Sequence, residues 1–417
     1  MSSKRGRGKL TLCMILKDEA KTIEAVIKAF FLNGIPLYSR LIVGIDDSTK
    51  DDTEKIVRKY TNEVFPFKWE EDFSKHRNDL INKVDKNTWV CFPDGHEVLR
   101  PRGLAVLDKF LDEQHDMANI YSPYIEIDCD EYDIPDVLFR RPIIFKNTGS
   151  VGFRREVHNF LFDDKKNIVI QLPEVSFVHN MPSERKQMRS NMRIDMNVRK
   201  LEKSVKKSPN DTRDTFYLAD SYEEGGDLDK AIDNYAKAFK LADGVDTDMA
   251  AQTCISAMNC LYKVKKHEDA IKWGFDGMRN RSDRAELFHF MGLNTYCLGR
   301  FREALYWYGL ASLMTLPNTA YFLMGKIYSW YPWEGIMMCN IQLEEYEAAL
   351  EAAYKILTWK TNKKTGKQCS ETLKNINNLK EAIEKSKKGI ALNHTIMNSA
   401  ANLLIDNYSK KTELQIV

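Results

Sequence analysis

The sequence predicts an α/β domain followed by an all-α array of helix–turn–helix repeats. Three observations carry this reading. Apolar runs of strand length alternate with amphipathic segments from Leu10 to about Pro182. The strand-like runs there end in polar, acid-rich clusters. Beyond about residue 200 the strand signals stop, and small residues recur among large ones at the spacing of paired helices.

"LTLCMIL" (Leu10 to Leu16) reads as a buried strand, and "EAKTIEAVIKAFF" (Glu19 to Phe31) has the apolar spacing of an amphipathic helix. "RLIVGI" (Arg40 to Ile45) is a second strand. "DTEKIVRKYTN" (Asp52 to Asn62) is a second helix, with Asp52 or Thr53 placed to cap it. "RNDLINKV" (Arg77 to Val84) is a helix before the strand "WVCF", Trp89 to Phe92. Such alternation means βαβ units and a mainly parallel sheet, and open sheets of this kind bind ligands beyond the carboxyl ends of their strands. The clusters at those ends are "KDE", "DDSTKDD" and "DGHE". Three acidic strand ends in one sheet point to a shared site.

In the second half, "DTFYLADSYEEGGDLDKAIDNYAKAFKLA" (Asp214 to Ala242) carries Ala219, Ala231 and Ala238 among Leu218, Tyr222 and Tyr235, with a turn at Gly225-Gly226. "ELFHFMGLNTYCLGRFREALYWYGLASL" (Glu286 to Leu313) repeats the pattern with Gly292, Gly299, Ala304, Tyr308 and Ala311. Ala231 and Ala304 stand 73 positions apart, room for one intervening copy of about 34 residues. A degenerate copy around Lys265 to Phe275 fills it, and Glu344 to Leu357 reads as the second helix of a fourth. This is the pattern of tetratricopeptide repeats, whose small residues let two helices close up. The expected boundaries are a basic arm over residues 1–9, an α/β domain over 10–200, repeats over 205–360 and a helical cap over 361–417.

Composition narrows the partners. With 43% hydrophobic and 29% charged residues the chain is ordinary for a soluble protein, and a net charge of +2 gives no global electrostatic target. The exception is "KRGRGK" (Lys4 to Lys9), a solubilising tail or an anion-touching arm. The eight cysteines form no CxxC pair, which suits a reducing compartment. No apolar run approaches the roughly 18 residues of a spanning helix, and the start lacks an apolar signal core. The expectation is a cytoplasmic protein with no membrane partner.

The chemistry centres on "WVCFPDGHEVL" (Trp89 to Leu99), where an apolar run stops at Pro93 and Asp94, Gly95, His96 and Glu97 follow. A carboxylate and an imidazole flanking a glycine suit a divalent cation, Mn²⁺ accepting imidazole more readily than Mg²⁺. A strand-ending turn with a solvated histidine reads equally well from these residues alone.

"LCMILKDEAKTIEAVIKAF", "LIVGIDDSTKDDT", "DFSKHRND" and "FPDGHEVL", in that order, resemble the family-2 glycosyltransferases of GT-A fold. The resemblance is greatest to the subgroup with tetratricopeptide repeats after the catalytic domain, which includes peptide S-glycosyltransferases, and it covers nearly the whole chain. It implies transfer of a sugar, with inversion, from a nucleoside diphosphate donor (a UDP-sugar first), with Mn²⁺ or Mg²⁺ as cofactor. Asp46 matches the acid at the nucleotide base, with Asp47 and Glu19 beside the same nucleotide. Arg77 and Asn78 match an Arg-Asn pair facing the nucleotide-sugar. Asp94 matches the first carboxylate of the Asp-x-Asp metal motif, His96 stands at the second, and His179 in "FVHN" matches a histidine that reaches the metal or diphosphate. "RRPIIFKNTGSVGFRREVHNFL" (Arg140 to Leu161) resembles the acceptor-side segment written Val-His-Glu, so His158 is a candidate catalytic residue. Asn159 stands where the glutamate should be. An amide cannot accept a proton, so a general base would come from Glu156, Asp128 or Asp130 unless the acceptor arrives activated.

The acceptor implied first is a polypeptide, with the repeats recruiting it or joining two copies of the chain. A modified base in DNA is the alternative acceptor. The competing class is an interaction scaffold whose transferase domain has lost its chemistry, on the strength of His96 and Asn159.

Overall fold

The computed structural model describes residues 8–113, 117–180 and 183–388. It divides into two units, one of Met1–Asp128 with Leu138–Lys186 and one of Cys129–Val137 with Gln187–Val417. Of the basic arm only Gly8 and Lys9 lie within the described residues. Lys9 is committed to Asp108 at 2.7 Å and Asp112 at 2.6 Å. Part of the expected cap, residues 389–417, lies outside the described residues.

The first unit runs β1 (Leu10–Leu16), α1 (Ile23–Lys28), the small hairpin β2 (Phe31–Leu32) and β3 (Ile35–Pro36), β4 (Tyr38–Asp46), α2 (Thr53–Val57), β5 (Val64–Phe67), α3 (Phe73–Ile81) and β6 (Trp89–Cys91). There follow β7 (Glu97–Leu99), α4 (Pro101–Phe110), β8 (Ile120–Ile127), β9 (Val137–Arg140), β10 (Ile144–Lys146), the hairpin β11 (Val151–Arg154) and β12 (Phe160–Asp163), and β13 (Val169–His179). The sheet order is β9-β8-β10-β6-β1-β4-β5, with β13 on β8 and β7 on β13.

β5, β4, β1 and β6 are parallel neighbours, as the alternating pattern predicts. β10 enters antiparallel between β6 and β8, so the sheet is mixed rather than mainly parallel. β1 is buried on both faces, which explains its continuous apolar run. One face collects Cys13, Ile42, Val90, Ile120 and Phe145 under Leu80 and Ile81 of α3 and Phe153 of β11. That packing fixes α3 against the strand ends.

The second unit contains α5 (Ser183–Lys207), then the antiparallel helix pairs α6 (Thr212–Glu224) with α7 (Leu228–Ala242), α8 (Thr247–Lys263) with α9 (His267–Asn280), α10 (Ala285–Cys297) with α11 (Phe301–Ser312), and α12 (Tyr331–Gln342) with α13 (Tyr346–Trp359), followed by α14 (Ser370–Lys387). These are the anticipated repeats, the degenerate copy included. Asp211, Asp227 and Asp246 cap α6, α7 and α8 by accepting backbone N–H bonds in the first turn. Gly226 takes φ +80° between α6 and α7, a conformation glycine adopts without strain. A Cβ on Gly335 would stand 2.5 Å from the Tyr308 ring, so the buried tyrosine lies flat against α12 only because the position is glycine. Cys129–Val137 joins this unit, with Tyr132 packed on Trp330 at 6.1 Å between ring centroids.

α6 also carries a carboxylate group with a pH signature. Burial, then the neighbouring Glu224 and Glu223, push Asp220 well above its ordinary value. Burial likewise pushes Glu224 up to about 7, against the opposing charge of Arg193. A carboxyl whose folded pKa exceeds its unfolded value takes up a proton on folding, so its contribution is full below about pH 4 and is lost as pH rises through 7. The helical melting temperature is therefore expected to be higher at pH 5.5 than at pH 8, and Glu224→Gln should narrow the gap, as read by far-UV circular dichroism. An equal gap in wild type and variant would remove Glu224 from the cause.

Candidate active site

The carboxyl ends of β4, β1 and β6 lie side by side, because Leu16 pairs with Ile45 and Leu12 with Cys91. Asp46 ends β4. It is buried, its Oδ1 accepts from Ser48 N at 2.8 Å and Ser48 Oγ at 2.6 Å, and Lys17 Nζ stands 3.3 Å from Oδ2. Burial opposes ionisation there, but Ser48 and Lys17 outweigh it and hold the carboxyl below its ordinary value. Asp47 is exposed, and its N–H donates to Phe67 O.

The turn after β1 carries Glu19 to the end of β6. Its backbone N–H donates to Thr53 Oγ1 at 2.7 Å, and its buried carboxylate meets Thr22 Oγ1 at 3.0 Å and His96 Nδ1 at 3.1 Å. Thr22 Oγ1 also donates to Gly95 O at 2.9 Å. A Cβ on Gly95 would come within 2.5 Å of Leu16 and 2.8 Å of Glu19, so the close approach of the two turns requires glycine.

Arg77 projects from α3 into this cluster. Its Nη2 donates to Asp94 Oδ1 at 2.7 Å and its Nη1 to Asn159 Oδ1 at 2.6 Å, with the guanidinium 5.0 Å from the Phe153 ring. The other oxygen of Asp94 accepts from Arg141 Nη1 at 2.9 Å, and Arg141 Nη2 donates to Glu97. Glu97, fully buried, also accepts the Asp94 N–H at 2.9 Å. Burial alone would raise the Asp94 pKa; Arg141, then Arg77, reverse that and hold the carboxyl far below the usual carboxylate range. Glu97 is lowered by Arg141 in the same way.

His179 ends β13 opposite Glu97 in the β7 register, and its ring meets that of His96 edge-on at 4.3 Å between centroids. Burial lowers the His179 pKa, which keeps the ring neutral at pH 7. His96 Nε2, His179 Nε2 and Glu97 Oε1 are buried without a hydrogen-bond partner. Two neutral imidazole nitrogens beside one carboxylate oxygen fit a borderline cation such as Mn²⁺ better than Mg²⁺. Glu97 rather than Asp94 offers the open oxygen, since both Asp94 oxygens are bound to guanidinium groups. Among the described residues no three His, Cys, Asp or Glu side chains already converge as a complete cage.

Four expected positions fall differently. Asn78 spends both ends of its amide on Phe153, donating to its carbonyl at 2.8 Å and accepting its N–H at 2.7 Å, so it anchors β11. Glu156 is exposed, and its carbonyl accepts from Phe73 N. His158 is half-buried in the β11–β12 turn, at φ 44°. Asp130 Oδ1 accepts from Tyr132 N and Ile134 N, which closes its own turn. Arg141 is the residue that the motifs miss. The signal lies in the charge balance: Asp94 and Glu97 together need two cations, and the sequence motifs supply Arg77 alone.

Residues 11–171 match the profile of glycosyl transferase family 2. The first unit is a family-2 glycosyltransferase domain. The matched stretch holds Arg77, Asp94 and Arg141 and ends before His179. No curated protein matches the chain. Among solved structures, MamA from Desulfovibrio magneticus RS-1 is 14% identical over 43% of this chain and 93% of its own, at a TM-score of 0.35. A thermophilic TPR protein of Thermus thermophilus is 16% identical over 48% and 94%, at 0.31. A tetratricopeptide repeat protein from Parabacteroides merdae is 11% identical over 49% and 73%, at 0.35. After the glycosyltransferase domain the helix pairs form an array of the tetratricopeptide kind. No helix of the described residues is long and apolar enough to cross a membrane.

Proposed function

We propose that this glycosyltransferase takes its sugar from a nucleoside diphosphate donor, a UDP-sugar first, and places it with inversion on a polypeptide. The observation that carries the donor reading is the linked set Arg77–Asp94–Arg141 at the carboxyl end of β6, two strands from the buried Asp46. Asp46 and Glu19 would flank the nucleoside, leaving the guanidinium pair for the phosphates. Asp94 serves as the common anchor that sets the direction of both cations. His96, His179 and Glu97 would hold Mn²⁺. Bound there, the cation would neutralise charge on the departing diphosphate.

On the acceptor side Asn159 holds Arg77 and offers no base, so the acceptor has to supply its nucleophile in activated form or lose its proton elsewhere. The helical unit supports a polypeptide acceptor, since stacked helix pairs present extended surfaces suited to peptides. The DNA alternative gains nothing from Lys9, which is paired with two aspartates.

The test is release of nucleotide from a panel of UDP-, GDP- and CMP-sugars by purified protein, with Mn²⁺, Mg²⁺ or EDTA. Turnover of a UDP-sugar, greater with Mn²⁺ than Mg²⁺ and abolished by EDTA, is expected. If every donor stays intact and none moves the melting temperature, the donor reading fails.

A further inference from the structure

The charge arrangement around Asp94 says more than which residues are near it. Two guanidinium groups share one carboxylate, yet they are unlike each other. Arg77 is shut in: its side chain is 9% exposed, it lies against Phe92 and Phe153, and its two terminal nitrogens reach Asn159 and Asp94. Arg141 is the open member, with 22% of its side chain exposed. Its backbone is tied into the sheet by Arg141 N donating to Pro123 O at 3.1 Å. Its guanidinium is braced from Asp94 at 2.9 Å and from Glu97.

A guanidinium has five N–H donors. The two carboxylates take two of Arg141's, and its Nε has no hydrogen-bond partner. A cation fixed by two buried carboxylates, with donors to spare, loses little freedom on meeting an anion, and Arg geometry suits a phosphate bidentately.

We propose that Arg141 is a diphosphate-binding residue of the donor site, held ready by Asp94 and Glu97. This rests on the nucleoside diphosphate donor proposed above. As the acceptor–carbon bond forms and the anomeric carbon–oxygen bond breaks, the electron pair leaves on the diphosphate and the acceptor's proton is released. The growing negative charge then meets a cation that does not have to reorganise. Arg77 sets the inner wall, and Arg141 makes the contact from the open side.

The experiment is calorimetric titration of wild type, Arg141→Ala and Arg141→Lys, in Mn²⁺ buffer, with UDP, GDP and CDP and with the matching nucleosides. For Arg141→Ala we expect diphosphate affinity about ten- to a hundredfold weaker, the usual worth of a hydrogen bond to a charged group. Nucleoside affinity should stay at the wild-type level. Arg141→Lys keeps a cation against Asp94 and Glu97, so it should fold as wild type does and bind diphosphate at an intermediate level; it decides the matter if the alanine variant unfolds. Variants that bind diphosphate as tightly as wild type, or lose nucleoside and diphosphate equally, would overturn the assignment and leave Arg141 a brace. A wild type that binds no diphosphate would overturn the donor reading along with it.

Discussion

Asp94→Asn is expected to lower donor turnover about a hundredfold, the scale at which a displacement of roughly 1 Å in a positioned group costs rate. The asparagine keeps the shape but only one acceptor oxygen. That oxygen can satisfy Arg77 or Arg141, and the amide N–H₂ then faces the other guanidinium, donor against donor. The variant also carries a stability signature with a definite sign. Because the Asp94 carboxyl is held far below its unfolded value, its contribution is present above about pH 4 and is lost as pH falls further. The melting temperature of Asp94→Asn should therefore lie below wild type at pH 7, with the difference shrinking toward pH 3. Turnover within twofold of wild type would remove Asp94 from the mechanism, and a pH-independent difference would remove the ion pairs from its explanation.

The parts of this site visible in the sequence are those where local chemistry and tertiary position agree. β1 occupies Leu10–Leu16 as its apolar run indicates, and Asp46 and Asp94 stand where strands end. Periodicity overextends the helices. It starts the first at Glu19, yet α1 begins at Ile23, because Glu19 and Thr22 are drawn into a turn held by Thr53, Gly95 and His96. Asp52 makes no capping bond; Asp51 accepts from Thr53 N at 3.0 Å instead. Strand direction is beyond reach, since the apolar run of β10 carries no mark of its antiparallel insertion. The departure of Cys129–Val137 into the helical unit is equally silent, because Tyr132 gains its meaning only from Trp330, far along the chain. Asn159 shows how motif reasoning stops short. Read as a missing glutamate it signals loss, but its oxygen holds the buried Arg77 at 2.6 Å, a positive role that a pattern of residue types does not reveal.

Arg284→Met is expected to be among the most damaging single changes to the helical unit. Arg284 is fully buried, as is Glu286. Its Nε donates to Glu286 Oε2 at 3.1 Å, and Nη2 donates to Gln252 Oε1 at 3.0 Å and to Phe322 O at 2.8 Å. Glu286 in turn accepts from Tyr328 Oη at 2.6 Å and Met324 N at 3.0 Å. One ion pair thus joins α8, α10 and the chain segment leading to α12. Methionine fills much of the volume but strands the Glu286 charge in the interior, and breaking a buried pair from one side costs about 3–5 kcal/mol. For a unit of this size that corresponds to a fall of roughly 10 °C in melting temperature. Glu286→Gln added to Arg284→Met removes the stranded charge while keeping acceptor and shape, so the double variant should recover part of the loss. The comparison separates the two contributions: recovery assigns the damage to the unpaired carboxylate, whereas a double variant as unstable as the single assigns it to Arg284's bonds with Gln252 and Phe322. An Arg284→Met protein melting within about a degree of wild type, well inside the shift that even 1 kcal/mol produces, would mean that the buried pair contributes nothing to holding these helices together.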